Sequence, residues 1–409
     1  MTAAILADYL RPGDRIVIGQ ATGEPAGLDA ALFEMAPRMG AIEVFCGLSL
    51  NPAWQGTPPD ALRVSTYCGM GTLAGLVARG RARVTPCALS QLTTYIEARR
   101  FAVDVVLLQV SPADSEGYHS LGCTADYVWD AAQVARVVLV EVNRNMPITR
   151  NACRLHQSRV VVACQSEAPL PEAPAEAPDE VQSRVARQVA KLVPDGATVQ
   201  LGIGALAVAV ARALADHRGL KIRSGIVGDW FLDLVAAGAI DSAAPDACMT
   251  SLAVGSRRLY ESLSTDGLLG FAPLAQLVVP NPGSPFMAIN SAIEVDLRGQ
   301  VNAEFLGDRY VGAVGGQTDY FRAARRSAGG LAILALPAAS GRAATSRIVA
   351  RLACAYVTAA QSEVDVIVTE HGAADIRATH FEERRMLIAE IADPRARGAL
   401  IAGAAHDAA

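Results

Sequence analysis

Lysine is almost absent from this 409-residue chain: Lys191 and Lys221 are its two lysines, and every other cationic side chain is an arginine. Schiff-base chemistry is thereby confined to two positions, and any phosphate must be met by arginine or by backbone N–H groups. The eight cysteines, at 46, 68, 87, 123, 153, 164, 248 and 354, form no C-x-x-C pair. That leaves neither a zinc spacing nor a disulfide framework, and predicts reduced, mostly buried thiols with no metal site. A formal charge of −5 and a pI near 5.8 give no basic stripe for nucleic acid. Although the chain is 51% hydrophobic with a mean hydropathy of +0.26, no apolar run approaches the ~18 to 20 residues of a membrane span. The start, MTAAILADYLRPGDR, has no basic residue before Arg11 and no small-residue cleavage site. No signal peptide is expected, and the expected location is cytoplasmic. One gap is local: no glutamate occurs from Val181 to Tyr260.

What is present is a repeated pattern in a chain long enough for two or three domains. A turn at Leu10–Arg15, a strand at Ile16–Ile18, a glycine-containing loop at Gly19–Pro25 and a helix over Ala26–Met39 open the first half. The second half repeats the order: Leu192–Gly196, Thr198–Leu201, Gly202-Ile-Gly204, and a helix over Ala205–Asp216. A strand, glycine turn and helix recurring reads as a duplicated α/β unit. Between the halves, four prolines in the ten residues Pro169–Pro178 deny helix and ladder bonding alike, so residues 166–180 are expected to be an extended linker between domains 1–165 and 181–409. Val181 to Val193 then places Val181, Val185, Val189 and Leu192 on one helical face. Near-continuous apolar runs at Val103–Val110 and Val137–Val142 predict strands buried on both sides. The tail reads strand (Leu331–Leu336), helix, strand (Val364–Val368) and helix (Thr379–Ile391), losing structure from Gly403.

The most informative stretch is Ile289–Phe321, INSAIEVDLRGQVNAEFLGDRYVGAVGGQTDYF. Alternation of Ile289, Ser291, Ile293 and Val295 against polar residues predicts a strand, broken by Arg298-Gly299. Gly312, Gly315 and Gly316 then make a loop whose N–H groups can converge on a phosphate or an oxyanion; the same glycines also suit a plain strand-to-helix connection. The stretch resembles the acetyl-CoA hydrolase/transferase family, in its 4-hydroxybutyrate CoA-transferase-like branch, whose members carry INSAIEVDLxGQVN followed by GVGGQxDF. Further matches follow in the family's order: Gly19–Pro25, Val110–Gly117, Glu141–Pro147, Asp195–Gly204, Thr345–Arg347 and Val368–Gly372.

The resemblance implies two similar open α/β halves of the CoA-transferase type with the active site in the cleft between them, coenzyme A as the acyl carrier, and a homodimer or higher homo-oligomer. It also implies a glutamate nucleophile within a segment resembling GIHTEMxSDGxVDLVxxG. Here that segment is Lys221–Gly238, and anchoring on Asp229, Asp233-Leu234-Val235 and Gly238 puts Gly225 where the glutamate belongs. Arg223 stands for the family's histidine, Ser224 for its threonine and Trp230 for its glycine. Arg223 is a candidate to recognise a carboxylate or polarise a carbonyl, or is a packing arginine. Ser224 and Glu24 are the other catalytic candidates, Glu24 as general base or as a charge at a helix start. Cys68 and Glu304 are weaker ones. By resemblance, Gly312, Gly315, Gly316 and Gln317 contact coenzyme A or the thioester, Arg322, Arg325 and Arg326 can meet phosphates, and Gly202 and Gly204 can donate N–H groups to the acyl oxyanion. Three readings stay open: an acyl-CoA enzyme without an enzyme-borne thioester (acyl transfer to a bound small-molecule acceptor, thioester hydrolysis, or decarboxylation or condensation of the acyl group), a CoA-transferase with a surrogate carboxylate, and a non-catalytic CoA-thioester binder. None of them involves nucleic acid or a membrane.

Overall fold

The structure is a computed structural model and describes residues 2–244, 246–265, 267–341, 345–354 and 356–406. By contacts the chain forms two compact units, and neither is one run of sequence. The first takes residues 1–174 together with 248–277 and 311–315; the second takes 175–247, 278–310 and 316–409.

The first unit is built on a seven-stranded parallel sheet. Its strands are β1 (Arg15–Ile18), β2 (Ile42–Cys46), β3 (Leu62–Thr66), β4 (Ala82–Val84), β5 (Val105–Val110), β6 (Val137–Asn143) and β7 (Val161–Ser166), in the order β7-β6-β5-β1-β2-β3-β4. The apolar runs explain the topology: every residue of β5 is buried, as a strand covered on both faces requires. Helix α1 spans Ala26–Met35 and passes into a short 3-10 turn, Ala36–Arg38, where Pro37 removes the next helical N–H. Residues 248–277, assigned by sequence order to the second half, pack here, with parallel strands at 248–250 and 269–271.

The proline-rich segment has no regular structure from 167 to 179, as its composition predicts, yet it does not float free. Asn143 Nδ2 donates to Ala168 O at 2.9 Å, Tyr260 Oη to Pro171 O at 2.9 Å, and Ala173 N to Gly255 O at 2.9 Å. Prolines cannot donate, so the strap is held through its carbonyls and its few free N–H groups.

The second unit repeats the plan. Strands β8 (Thr198–Gln200), β9 (Lys221–Ser224), β10 (Phe286–Asn290), β11 (Leu331–Ala335), β12 (Val366–Thr369) and β13 (Gly372–Asp375) run in the order β13-β12-β11-β10-β8-β9, parallel apart from the β12–β13 hairpin. In each unit the first strand lies between the strand that follows it and a later one, which is the topological mark of the duplicated glycine-turn motif. Helix α2 (Glu180–Ala190) starts in a capping box, with Gln182 N donating to Asp179 Oδ1 at 2.7 Å and Asp179 N to Gln182 Oε1 at 2.9 Å, and it buries Val185, Ala186 and Val189 as its periodicity predicts. Helix α3 (Ala205–Ala213) follows β8, α4 (Trp230–Ala236) follows β9, and α5 (Gln317–Arg325) leads into β11.

Two expectations are corrected. The residues described between Leu336 and Val364 form no helix but short strand pairs: Ala339–Ser340 against Thr345–Ser346, and Ile348–Val349 against Glu294–Asp296. The Ile348–Val295 pairing buries both side chains, and such a non-local gain overrides the helical propensity of an alanine-rich run. The tail is helical through His406, in Pro394–His406; of the stretch from Gly403, residues 407–409 lie outside the described ones. Among the described residues no helix is long and apolar enough to cross a membrane.

Candidate active site

In open parallel sheets ligands gather beyond the carboxyl ends of the strands, where the strand order reverses. In the second unit that place is the end of β8, with β9 on one side and β10 on the other. Asn290 Nδ2, at the end of β10, donates to Gln200 Oε1 at 2.8 Å across this point. The chain leaves β8 through Gly202-Ile203-Gly204 into α3. A Cβ added at Gly202 or Gly204 would meet nothing within 4 Å, so the backbone there faces open space. Gly204 also has φ +97, which the turn into the helix requires and which L side chains rarely adopt. Trp230, fully buried at the start of α4, donates from Nε1 to Gly202 O at 3.0 Å and fixes the loop from beneath.

Arg223 and Ser224 end β9 beside this loop, and Gly225 follows in a bend. Ser224 is fully buried and its one hydroxyl proton lies between two carbonyls, Leu201 O and Ile226 O. That hydrogen bonding ties β9 to the end of β8, so Ser224 has the surroundings of a structural latch and not of a nucleophile. Arg223 is different. It is half-buried, and among the described residues its guanidinium makes no hydrogen bond and no ion pair. Burial lowers its pKa, and the nearby Tyr320 opposes that shift.

Tyr320 lies on the first turns of α5, 2% exposed, its ring edge-on to Phe286 at 6.2 Å. Its phenol oxygen is buried without a hydrogen-bond partner. Burial and the charge of Asp319 push the phenol's pKa up while Arg223 draws it back, so the group stays a neutral donor. Gly316 is the N-cap of α5, and a Cβ placed there would meet the Tyr320 ring at 3.1 Å, so the absence of a side chain lets the ring lie against the helix start. Gln317 donates from Nε2 to Ser291 O at 2.9 Å, and its Oε1 is buried with no partner. An unpartnered phenol, an unpartnered amide oxygen and an unpartnered guanidinium on one sheet end are costly unless something else satisfies them.

The other candidates have partners of their own. Gly312 and Gly315 belong to the first unit, where Gly312 O accepts from Gly69 N at 2.8 Å and Gly315 O from Leu89 N at 3.0 Å. Arg322 pairs with Glu363 at 2.7 Å and Arg325 with Asp365 at 3.1 Å, which occupies two of the three charges expected to meet phosphates. Glu304 accepts from Thr358 at 2.7 Å. Cys68 is fully buried, and burial raises its pKa, so the thiolate is suppressed.

Glu24 is a structural acid of the first unit. Ser49 Oγ donates to it at 2.7 Å, Leu50 N at 3.0 Å and Asn51 N at 3.1 Å, which fixes the loop after β2. Burial and the charge of Asp29 raise its pKa well above the ordinary range. Asp29 itself is raised to about 6 by burial, with Asn51 and Trp54 as donors. Asp29 Oδ1 is buried with no hydrogen-bond partner among the described residues.

Arg347 was underread in the sequence, where it appeared only as the end of a Thr-Ser-Arg match. It lies beyond the carboxyl end of β11, half-buried, its pKa lowered by burial and raised by Glu370, and its guanidinium makes no hydrogen bond among the described residues.

Comparison with known proteins supplies the family. The acetyl-CoA hydrolase/transferase N-terminal domain matches residues 1–160 and the C-terminal domain residues 255–404. The 4-hydroxybutyrate coenzyme A transferase of Clostridium kluyveri is 32% identical over 98% of this chain and 96% of its own length. The chain belongs to the acetyl-CoA hydrolase/transferase family. Its fold agrees with the crystal structure of RipA from Yersinia pestis, at TM-score 0.90 and 27% identity over 100% of this chain and 97% of that one. It also agrees with a 4-hydroxybutyrate CoA-transferase from Porphyromonas gingivalis, at TM-score 0.81 and 28% identity over 99% and 97%. Against the family's GVGGQxDF, the phenylalanine position is Tyr320 here. That single oxygen, read beside Arg223 in place of the histidine, was the sequence signal that could have found the pair.

Proposed function

We infer that this protein acts on acyl-CoA thioesters within the acetyl-CoA hydrolase/transferase family, but passes the acyl group to a bound acceptor, or to water, without first loading coenzyme A onto a glutamate of its own. The observation that carries the reading is Gly225 at the end of β9, in the motif position of the family's glutamate, in a chain with no glutamate from Val181 to Tyr260. In a direct route the acceptor's oxygen bonds to the acyl carbon as the carbon–sulfur bond breaks. With water as acceptor, coenzyme A leaves as a thiolate and takes up a proton; with a carboxylate acceptor, the thiolate bonds to the acceptor's carbonyl carbon in the mixed anhydride just formed, whose C–O bond breaks to release the original acid. The open backbone at Gly202 and Gly204 supplies N–H groups toward the carbonyl oxygen as it gains charge, where a fixed donor pair stabilises the transition state. Gly312, Gly315, Gly316 and Gln317 are assigned to coenzyme A or the thioester by the same motif matching.

The reading is tested by product analysis. A panel of acyl-CoAs is incubated with the protein, with and without small carboxylic acids, and free thiol, acyl-CoA and acid are quantified together. Consumption that needs an acid, with the acid appearing as a new thioester, establishes transfer; consumption without one establishes hydrolysis. Tight acyl-CoA binding with no consumption of any member would replace the enzyme reading by that of a thioester-binding protein.

A further inference from the structure

We propose that Arg223 and Tyr320 form a carboxylate-binding subsite of this protein, in which a carboxylate of the substrate stands beside Gly225. The proposal rests on the acyl-CoA reading above and adds to it a substrate class and two specificity residues.

Three observations converge. Arg223 is half-buried and its guanidinium has neither hydrogen bond nor ion pair among the described residues, although arginines elsewhere in the unit, Arg322, Arg325 and Arg377, are paired with carboxylates. A half-desolvated guanidinium left open is what a bound anion repays, since it offers paired donors in one plane. Tyr320, within electrostatic reach of Arg223, is 2% exposed and its Oη has no partner. A buried phenol without an acceptor costs stability that a ring alone would not, and a phenylalanine would fill the same space against Phe286 and Gly316. The oxygen therefore has its use toward a ligand. Finally, Gly225 follows Arg223 by two residues and has no side chain to occupy the guanidinium, so the place where family members carry a carboxylate of their own is left to one from solution. Asp319, at the neighbouring helix position, acts on the phenol through its charge and raises its pKa.

The carboxylate can come from the far end of a dicarboxylic acyl group or from a free acid acceptor, and the experiment separates the two. Binding is measured by calorimetry for coenzyme A, butyryl-CoA and succinyl-CoA, and for butyrate and succinate added to the protein saturated with coenzyme A. Wild type, Tyr320→Phe and Arg223→Gln are compared, with thermal melting as the fold control. If the acyl group supplies the carboxylate, wild type prefers succinyl-CoA over butyryl-CoA by roughly ten- to a hundredfold, and each substitution removes most of that preference. If the acceptor supplies it, the two thioesters bind alike, both free acids bind, and each substitution weakens the acids by a similar factor. Coenzyme A itself binds unchanged in every case. Unaltered acid affinities and an unaltered thioester ratio in Tyr320→Phe, with coenzyme A still bound, overturn the subsite and leave the acyl-CoA reading standing. Failure of wild type to bind any coenzyme A species overturns that reading and the subsite with it. Tyr320→Phe keeps the ring and restores the family's residue, so the test holds even where Arg223→Gln does not fold.

Discussion

Placing a glutamate at Gly225 should turn this protein toward a mechanism with an enzyme-borne thioester. Gly225 lies in a bend directly after β9 and is not among the chain's left-handed glycines, so Gly225→Glu meets no backbone strain. Removing a glycine at a compatible position also restricts the unfolded chain, which contributes about 0.4 to 1 kcal/mol in favour of the fold. The cost is electrostatic and chemical. Two residues away is Arg223, whose guanidinium has no hydrogen bond or ion pair among the described residues, and a charge-assisted hydrogen bond to it stabilises a carboxylate by about 1.5 to 3 kcal/mol. That draws the new carboxyl roughly one to two pKa units below its ordinary value and leaves it ionised at neutral pH but less nucleophilic. Gly225→Glu alone should therefore load slowly, and Gly225→Glu with Arg223→His faster. The assay is intact-protein mass spectrometry after incubation with an acyl-CoA, reading a mass gain of one coenzyme A less one water, removed by borohydride reduction. A folded double variant that binds acyl-CoA yet never forms the adduct would refute the placement of residue 225 beside the thioester.

Further outcomes follow from the same structure. Glu24→Gln should leave turnover within about twofold, because Glu24 fastens the loop after β2; a loss of 10² or more, the usual scale for a general base, would return it to the active site. Asp130, raised to about 7 by burial and by the charges of Glu97 and Asp126, holds a proton in the folded protein between about pH 4 and 7 that the unfolded chain has released. Its contribution is thus present below about pH 4 and lost as pH rises through 7, so Asp130→Asn should stabilise the protein at pH 8, by at most about 4 kcal/mol, and flatten the acid side of a denaturation–pH profile. Trp230→Phe removes the Nε1 bond to Gly202 O, and should cost about 1 kcal/mol by chemical denaturation while lowering turnover more than acyl-CoA affinity. Asp179→Ala breaks the capping box of α2 and should cost about 1 kcal/mol with no effect on kinetics.

Much of the fold was legible because it is written in local patterns. The valine face of α2, the apolar runs of β5 and β6 and the two glycine turns each follow from spacing alone. Helix ends were read too long where the last turns gave way, as at Pro37 in α1 and beyond Ala213 in α3. The short strand Ile348–Val349 was missed because its partner, Glu294–Asp296, is some fifty residues away, and no local period records such pairing. The site divided in the same manner. Motif matching led to Arg223, Ser224, Gly202 and Gly204, but it could not tell that Ser224 is spent on two carbonyls whereas Arg223 makes no hydrogen bond or ion pair among the described residues. Nor could it show Glu24 and Asp29 both buried, with the charge of Asp29 raising the pKa of Glu24, since that proximity belongs to the fold and not to spacing. Tyr320 was visible only as one letter in a motif; its meaning depends on burial without a partner.

The most direct test of the account is the mass of the unmodified wild-type protein during turnover. It is mixed with an acyl-CoA that it consumes, quenched at short times and measured intact, with borohydride trapping in parallel. The account predicts that the thioester disappears while the protein keeps its own mass at every time. A wild-type species heavier by one coenzyme A less one water, formed and discharged at the rate of turnover, would show that a surrogate carboxylate carries the thioester and would contradict the direct route.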